Sequence, residues 1–288
     1  MTPTIYIDHS IVSHEPWWPS LEQAMASGRL RLALSLWNLF EIGADGDKTR
    51  QEKRLAFLEK LDPLWIIERL AIQKQEVERF LCRHKFGRDP KELIAIAPSL
   101  STVDAFLTGW QMRIGLTPRQ FIRETDYATL NQLKTLSPQA QHTWRSADQK
   151  TLDAKQKEIF CAWLGPMMPD RDPENRLLTG DQRAGLLEFC HQNNAHFLGD
   201  CPAIAVEDVL TIVRIQPPTR KLSESDGTDL QHSIAALSYC DIFFTRDRDQ
   251  ARCAEAARGM LSTLHLAQVC ASPDNLVEVV SGLQMLPV

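Results

Sequence analysis

The chain has 288 residues, of which 43% are hydrophobic, and its formal net charge is -5 at pH 7. This length favours one domain with a large insertion or two packed domains, and the hydrophobic content is enough for a substantial core. The negative charge excludes a protein that coats nucleic acid through a general basic field, so any nucleic-acid binding must be local.

Seven cysteines are scattered along the sequence without a CxxC pair. Their odd number and irregular spacing indicate reduced thiols rather than a disulfide framework or a zinc knuckle. The N-terminal segment lacks the charged head and apolar run of a secretory signal, and no stretch approaches the roughly 18 apolar residues of a membrane span. We therefore expect a soluble cytoplasmic protein without a membrane partner.

Short apolar segments rich in β-branched or aromatic residues predict buried strands. Three such segments lie at 4–8, 31–35 and 241–245, and weaker candidates lie at 65–68 and 264–269. A helical pattern follows the second segment, and another precedes the third. This alternation predicts an α/β fold with a small parallel sheet and flanking helices.

The pattern changes between residues 71 and 215 to helices joined by polar turns. We therefore predict a mainly α-helical insertion or subdomain over 71–215. The α/β core would be assembled from residues 1–70 and 216–288. The polar loop at 216–227 is the preferred boundary between the two parts.

Four acidic residues are predicted to lie at the carboxyl edge of the sheet, where ligands bind in open α/β folds. Asp8 ends the first strand, and Asp247 follows the third. A serine suited to capping ends the second strand, which places Glu41 in the second turn of the next helix. The helix before the third strand runs antiparallel to it and is expected to open at Thr228 or Asp229, so Asp229 joins the group.

Carboxylates packed together repel one another and raise their own pKa values, so such a cluster needs cations. Mg²⁺ or Mn²⁺ suits hard oxygen ligands, and Mg²⁺ completes its shell with water and substrate phosphate. The expected chemistry is metal-assisted phosphodiester hydrolysis, in which the ion polarises the phosphate and lowers the pKa of an attacking water.

Three segments together resemble the PIN-domain family, namely YIDHS, LSLWNLFE and DLQHSIAALSYCDIFFTRD, the last with a DxxH-type motif. The resemblance covers 1–70 and 220–285. It implies a small parallel sheet flanked by helices and a metal-dependent ribonuclease activity. Many members are toxins of toxin-antitoxin pairs, so the resemblance implies RNA as substrate and allows a protein inhibitor as partner. The helical block has no counterpart in compact members, which leaves the RNA target and a toxin role open.

The same resemblance assigns roles to individual side chains. Four carboxylates would bind the metal or orient the attacking water, namely those of Asp8, Glu41, Asp229 and Asp247. Supporting hydroxyl groups would come from Ser10 and Thr245, and a further supporting carboxylate from Asp226. Arg246 and Arg248 flank the last carboxylate and suit phosphate groups of the substrate. Trp17 and Trp18 could stack on bases.

Each acidic residue also has an ordinary interpretation, because 37 of the 288 residues are acidic. Asp229 could simply cap its helix. Glu41 precedes a turn and could be an exposed helix residue. His232 lies three residues after Asp229 and fits a core position or one that supports the site.

Two other functions stay open. An Asp-dependent phosphatase would want a second Asp at the position of Ser10, which counts against it. A catalytically weak PIN-like scaffold would use the helical block to bind a protein or RNA partner. The oligomeric state is not determined by the sequence.

Overall fold

The computed structural model describes residues 2–108, 113–127, 158, 160–215 and 225–283. Within these residues six strands form one sheet. The strands are Thr4–Ile7 (β1), Arg31–Leu34 (β2), Leu64–Ile66 (β3), Ile96–Ala97 (β4), Ile242–Phe244 (β5) and Gln268–Cys270 (β6). Their order across the sheet is β4-β3-β2-β1-β5-β6.

Neighbouring strands pair in parallel, except that β4 is antiparallel to β3. β1 lies at the centre, where Ile5 pairs with Leu32 of β2 and with Ile242 of β5. These three side chains are almost completely buried, as expected for parallel strands covered on both faces. The predicted α/β class with a mainly parallel sheet is therefore confirmed.

The three strongest predicted strands each end one residue earlier than expected. Asp8 caps the helix that follows β1, and Ser35 caps the helix that follows β2. Thr245 comes directly after β5. Their polar side chains make cap and cross-strand hydrogen bonds in place of further strand pairing.

Helices cover both faces of the sheet and form most of the remaining described structure. The α-helices are His9–Val12, Trp18–Ala26, Leu36–Ala44, Lys48–Lys60, Arg69–His84, Leu100–Thr108, Pro118–Glu124, Gly180–Gln192, Asn194–Asp200, Pro202–Ile215, Ser225–Tyr239, Arg248–Met260 and Pro273–Leu283. Short 3₁₀ helices lie at Glu15–Trp17 and Gly165–Met167.

Two clusters of buried apolar side chains bear on the predicted insertion. The larger surrounds the sheet, and it includes Val206 and Leu210 from the helix Pro202–Ile215. The smaller is built from side chains between residues 77 and 204. The helical block thus has a core of its own, but β4 pairs with β3 in the sheet, and the helix Pro202–Ile215 packs in the larger cluster. The division at residue 215 remains a prediction, and residues 216–224 of the boundary loop lie outside the described residues.

All seven cysteines are free thiols, and five of them are buried. In the described ranges, no helix combines the length and apolar character needed to cross a bilayer.

Candidate active site

Asp8 is held at the carboxyl end of β1 by three donors. Its Oδ1 accepts hydrogen bonds from the Ser10 hydroxyl at 2.7 Å and from the backbone N–H of Ile11 at 3.2 Å. Its Oδ2 accepts from the Thr245 hydroxyl at 2.7 Å. Burial raises the pKa of Asp8, and the hydrogen bonds from Ser10 and Thr245 oppose that rise. The carboxylate is therefore fixed in direction but poorly hydrated.

Thr245 connects this carboxylate to the segment that follows β5. Its hydroxyl is fully buried, lies 2.9 Å from Oε1 of Gln250, and accepts the backbone N–H of Asp247 at 3.0 Å. A second link joins the same segments, because the backbone N–H of Arg246 donates to the Ser10 hydroxyl at 2.8 Å. The ends of β1 and β5 are thus tied together by the two hydroxyl residues predicted to support the site.

Asp247 is exposed and caps the helix Arg248–Met260. Its Oδ1 accepts the backbone N–H groups of Asp249 at 2.8 Å and Gln250 at 2.9 Å. Within the described part of the chain, its Oδ2 accepts no hydrogen bond. One oxygen of Asp247 therefore has a structural role, and the other remains available to a ligand.

Glu41 is held by a buried histidine. Nε2 of His232 donates to Oε2 of Glu41 at 2.7 Å, and Nδ1 of His232 is hydrogen-bonded to the hydroxyl of Tyr6. Burial acts to lower the pKa of His232, but the negative charges of Glu41, Asp8 and Asp229 outweigh burial and raise it. His232 therefore presents a positive or strongly polarised N–H to the acidic edge.

The Tyr6 hydroxyl extends this hydrogen-bond network into the sheet. It lies 2.8 Å from the Ser35 hydroxyl and donates to Oδ1 of Asn38 at 3.1 Å. The side-chain amide of Asn38 in turn donates to the backbone carbonyl of Ile7 at 3.0 Å. These bonds fix the start of the helix that carries Glu41 against the end of β1. His9 also approaches, with Nδ1 at 3.9 Å from Oε2 of Glu41.

Asp229 lies inside its helix rather than at the start. The helix is Ser225–Tyr239, so the expectation that Thr228 or Asp229 opens it is wrong. Oδ2 of Asp229 accepts a hydrogen bond from Nη2 of Arg214 at 2.9 Å, which fixes this carboxylate without a capping role. Burial, together with the negative charge of Asp247, raises its pKa to about 6, although Arg214 and His232 act in the opposite direction.

Asp226 is buried and contributes to the same arrangement. Its Oδ1 accepts from Nη2 of Arg214 at 3.2 Å. Asp226 and Asp229 thus share Arg214 as a hydrogen-bond partner.

Three further residues contribute to this edge and were not predicted from the sequence, namely Arg214, Tyr6 and His9. Arg214 lies in the last turn of the helix Pro202–Ile215, within the stretch predicted as an insertion, and no sequence signal pointed to it. Tyr6 and His9 flank Asp8 in the YIDHS motif, so their proximity to the site follows from their position.

The donor set fits a hard divalent cation, because it consists of carboxylate and hydroxyl oxygens. Among the described residues, however, no three His, Cys, Asp or Glu side chains are already arranged around a point where an ion could sit. Glu41 is hydrogen-bonded to His232 and Asp229 to Arg214, so each would have to reorient or share its carboxylate with an ion. Oδ2 of Asp247 and Oδ1 of Asp229 accept no hydrogen bonds within the described ranges.

Two exposed arginines flank Asp247. The guanidinium of Arg246 lies over the ring of Trp17, at 5.3 Å from its centroid, and Trp17 stacks on Phe244. Neither Arg246 nor Arg248 forms an ion pair with another described residue. Trp18 stacks on Phe57 at 4.2 Å, so this ring is engaged in internal packing rather than presented to a base.

Exposure differs among the four carboxylates, since Asp8 is buried, Glu41 and Asp229 are partly exposed and Asp247 is exposed. A cavity of about 700 Å³ lies elsewhere, between the helix Arg69–His84 and the loops at 86–94 and 169–175. None of the four carboxylates lines it.

Comparison of the chain with protein-family models, with curated proteins and with solved structures found no significant match.

Proposed function

We propose that the chain is a metal-dependent endoribonuclease with a PIN-like core, which hydrolyses RNA phosphodiester bonds at the carboxyl edge of its sheet. The observation that carries the proposal is the Thr245 hydroxyl, which contacts the carboxylate of Asp8 and the backbone of Asp247. This hydrogen bond holds Asp8 and Thr245, which are 237 positions apart in the sequence, next to each other. The charge of Asp247 also raises the pKa of Asp229, so a third carboxylate belongs to the same electrostatic environment.

The buried carboxylates at the carboxyl edge of the sheet support the proposal that a cation binds there. Burial destabilises the ionised forms of Asp8 and Asp229, as their raised pKa values show. A divalent ion bound there would offset this penalty, polarise the scissile phosphate and lower the pKa of a water. The residues predicted to hold it are Asp8, Asp229 and Asp247, with Glu41 as a further ligand or as the group that orients the water.

The chain's own side chains would prepare this chemistry. Ser10 and Thr245 orient the carboxylate of Asp8, and His232 directs Oε2 of Glu41. Arg246 and Arg248 present exposed guanidinium groups beside Asp247, where they can bind the phosphates of a single RNA strand. Because they lie outside the carboxylate cluster, they would bind substrate without neutralising the metal ligands.

RNA cleavage assays on point variants test the proposal. We expect the wild-type chain with Mg²⁺ or Mn²⁺ to cut a single-stranded RNA, and Asp8→Asn or Asp247→Asn to abolish cutting. Asparagine caps helices about as well as aspartate, so Asp247→Asn should keep its fold. Glu255→Gln removes an exposed carboxylate from the same helix and serves as the matched control, which should retain activity. Cleavage at the wild-type rate by either Asp variant would contradict the assignment.

A second candidate is favoured by the internal partners of two carboxylates. His232 neutralises Glu41 and Arg214 neutralises Asp229, which an edge that binds no metal would also show. In that case the chain would be a catalytically weak scaffold, whose helical block binds a protein or RNA partner. Melting temperatures recorded with and without Mn²⁺ separate the two functions, because a bound ion raises the melting temperature and a scaffold shows no change. No comparable observation favours an Asp-dependent phosphatase, since Ser10 is committed to Asp8 and to the backbone of Arg246.

A further inference from the structure

Arg214 is a buried cation at the acidic edge. It is 3% exposed, and its Nη2 donates to Oδ1 of Asp226 at 3.2 Å and to Oδ2 of Asp229 at 2.9 Å. The arginine comes from the helix Pro202–Ile215, whereas both carboxylates lie on the helix Ser225–Tyr239. The contact therefore joins the end of the helical block to the proposed site.

The chemistry of the side chain makes this charge permanent. A guanidinium is not deprotonated in proteins, and its fixed geometry holds carboxylates in defined directions. Burial of an unpaired ion is strongly unfavourable, so Arg214 and its two carboxylates stabilise one another in the core. The Arg214 cation thus offsets, within the protein, part of the negative charge that a second metal ion would otherwise offset.

We propose that Arg214 takes the place of one cation, so that the site holds a single divalent ion and not two. In this arrangement Arg214 is a positioning residue. It donates to Oδ2 of Asp229, whereas Oδ1 accepts no hydrogen bond from a described residue and would be the atom that binds the ion. The inference rests on the proposed nuclease function, because it concerns the same carboxylates.

Counting bound Mn²⁺ tests this inference directly. Free Mn²⁺ is measured by electron paramagnetic resonance while the full chain is titrated, and the Asp8→Asn chain gives the background from weak surface binding. We expect one site-specific ion per chain in the wild type and one in Arg214→Lys, which keeps the charge. Arg214→Gln removes the charge and should bind a second ion, a change that loss of packing alone would not produce.

The outcomes separate this inference from the proposed function. Two site-specific ions in the wild type or in Arg214→Lys would overturn the role of Arg214 but leave the nuclease proposal intact. A single ion in a folded Arg214→Gln chain would also overturn it. No specific Mn²⁺ in the wild type would overturn both. If Arg214→Gln does not fold, two site-specific ions in the wild type or in Arg214→Lys would still overturn the inference.

Discussion

Glu76 is a buried carboxylate that joins three helices, and its ionisation should make stability depend on pH. Its Oε1 accepts hydrogen bonds from the backbone N–H of Ala203 at 2.7 Å and from the Tyr239 hydroxyl at 2.5 Å, and its Oε2 accepts from the N–H of Ile204 at 3.1 Å. The carboxylate therefore satisfies donors at the start of the helix Pro202–Ile215. Burial nevertheless raises its pKa from 4.5 to about 7, against the effect of these hydrogen bonds.

The direction of the pH effect follows from linkage. Because the pKa of Glu76 is higher in the folded state, the folded chain binds more protons than the unfolded chain between pH 4.5 and about 7. The stabilisation of the folded state by protonated Glu76 is fully present below pH 4.5 and is lost as the pH rises through 7. At about 1.4 kcal/mol per pKa unit, the difference corresponds to roughly 3 kcal/mol of unfolding free energy.

Urea denaturation of the wild type and of Glu76→Gln, followed by circular dichroism from pH 4.5 to 8, isolates this effect. The amide nitrogen of glutamine cannot accept the hydrogen bond from the N–H of Ile204. The loss of this bond lowers the unfolding free energy of Glu76→Gln by an amount that does not vary with pH. We expect the wild type to lose roughly 3 kcal/mol relative to Glu76→Gln across this range, most of it between pH 5 and 7. Glu92→Gln, at an exposed position, is the control. A difference between wild type and Glu76→Gln that stays constant with pH would refute the reasoning.

Two further predictions concern the residues that tie the site together. Thr245→Val should lower the unfolding free energy by roughly 2 kcal/mol, because Asp8, Gln250 and the N–H of Asp247 lose a buried partner. Thr245→Ser keeps the hydroxyl and should therefore keep most of this unfolding free energy. If urea denaturation finds Thr245→Val as stable as the wild type, the Thr245 hydroxyl does not tie these segments together. Asp247→Ala should lower the unfolding free energy by about 1 kcal/mol through loss of the helix cap, whereas Asp247→Asn should lower it little. Both Asp247 variants should lose RNA cleavage, so thermal melting and cleavage measured together distinguish the cap from the ligand.

The sheet was predictable because its strands are short apolar segments, and the position of Asp8 and Asp247 followed from the ends of two of them. Parallel strands place their carboxyl ends at one edge, so two residues far apart in the chain could be placed together from the sequence alone. The antiparallel pairing of β4, only two residues long, gave no readable pattern.

The partners of the other two carboxylates could not be predicted in the same way. Glu41 and His232 are 191 residues apart, and their contact depends on how the two helices that carry them pack against each other. Arg214 belongs to a stretch whose helical pattern carries no mark of the site. The start of the helix before β5 was misplaced because Ser225, Asp226, Thr228 and Asp229 are all good capping residues. In the structure, Asp226 and Asp229 do not cap the helix but accept hydrogen bonds from Arg214 of another helix. Such a tertiary contact has no signal in the local sequence.

The proposed function requires Asp8, Asp229 and Asp247 to bind a common divalent cation. Anomalous diffraction from crystals soaked in Mn²⁺ tests this most directly, because it locates the ion without reference to activity. We predict an anomalous peak within coordination distance of Asp8 and Asp247 at the carboxyl ends of β1 and β5, with Asp229 beside it. Crystals that bind Mn²⁺ only elsewhere, or not at all, would contradict the account.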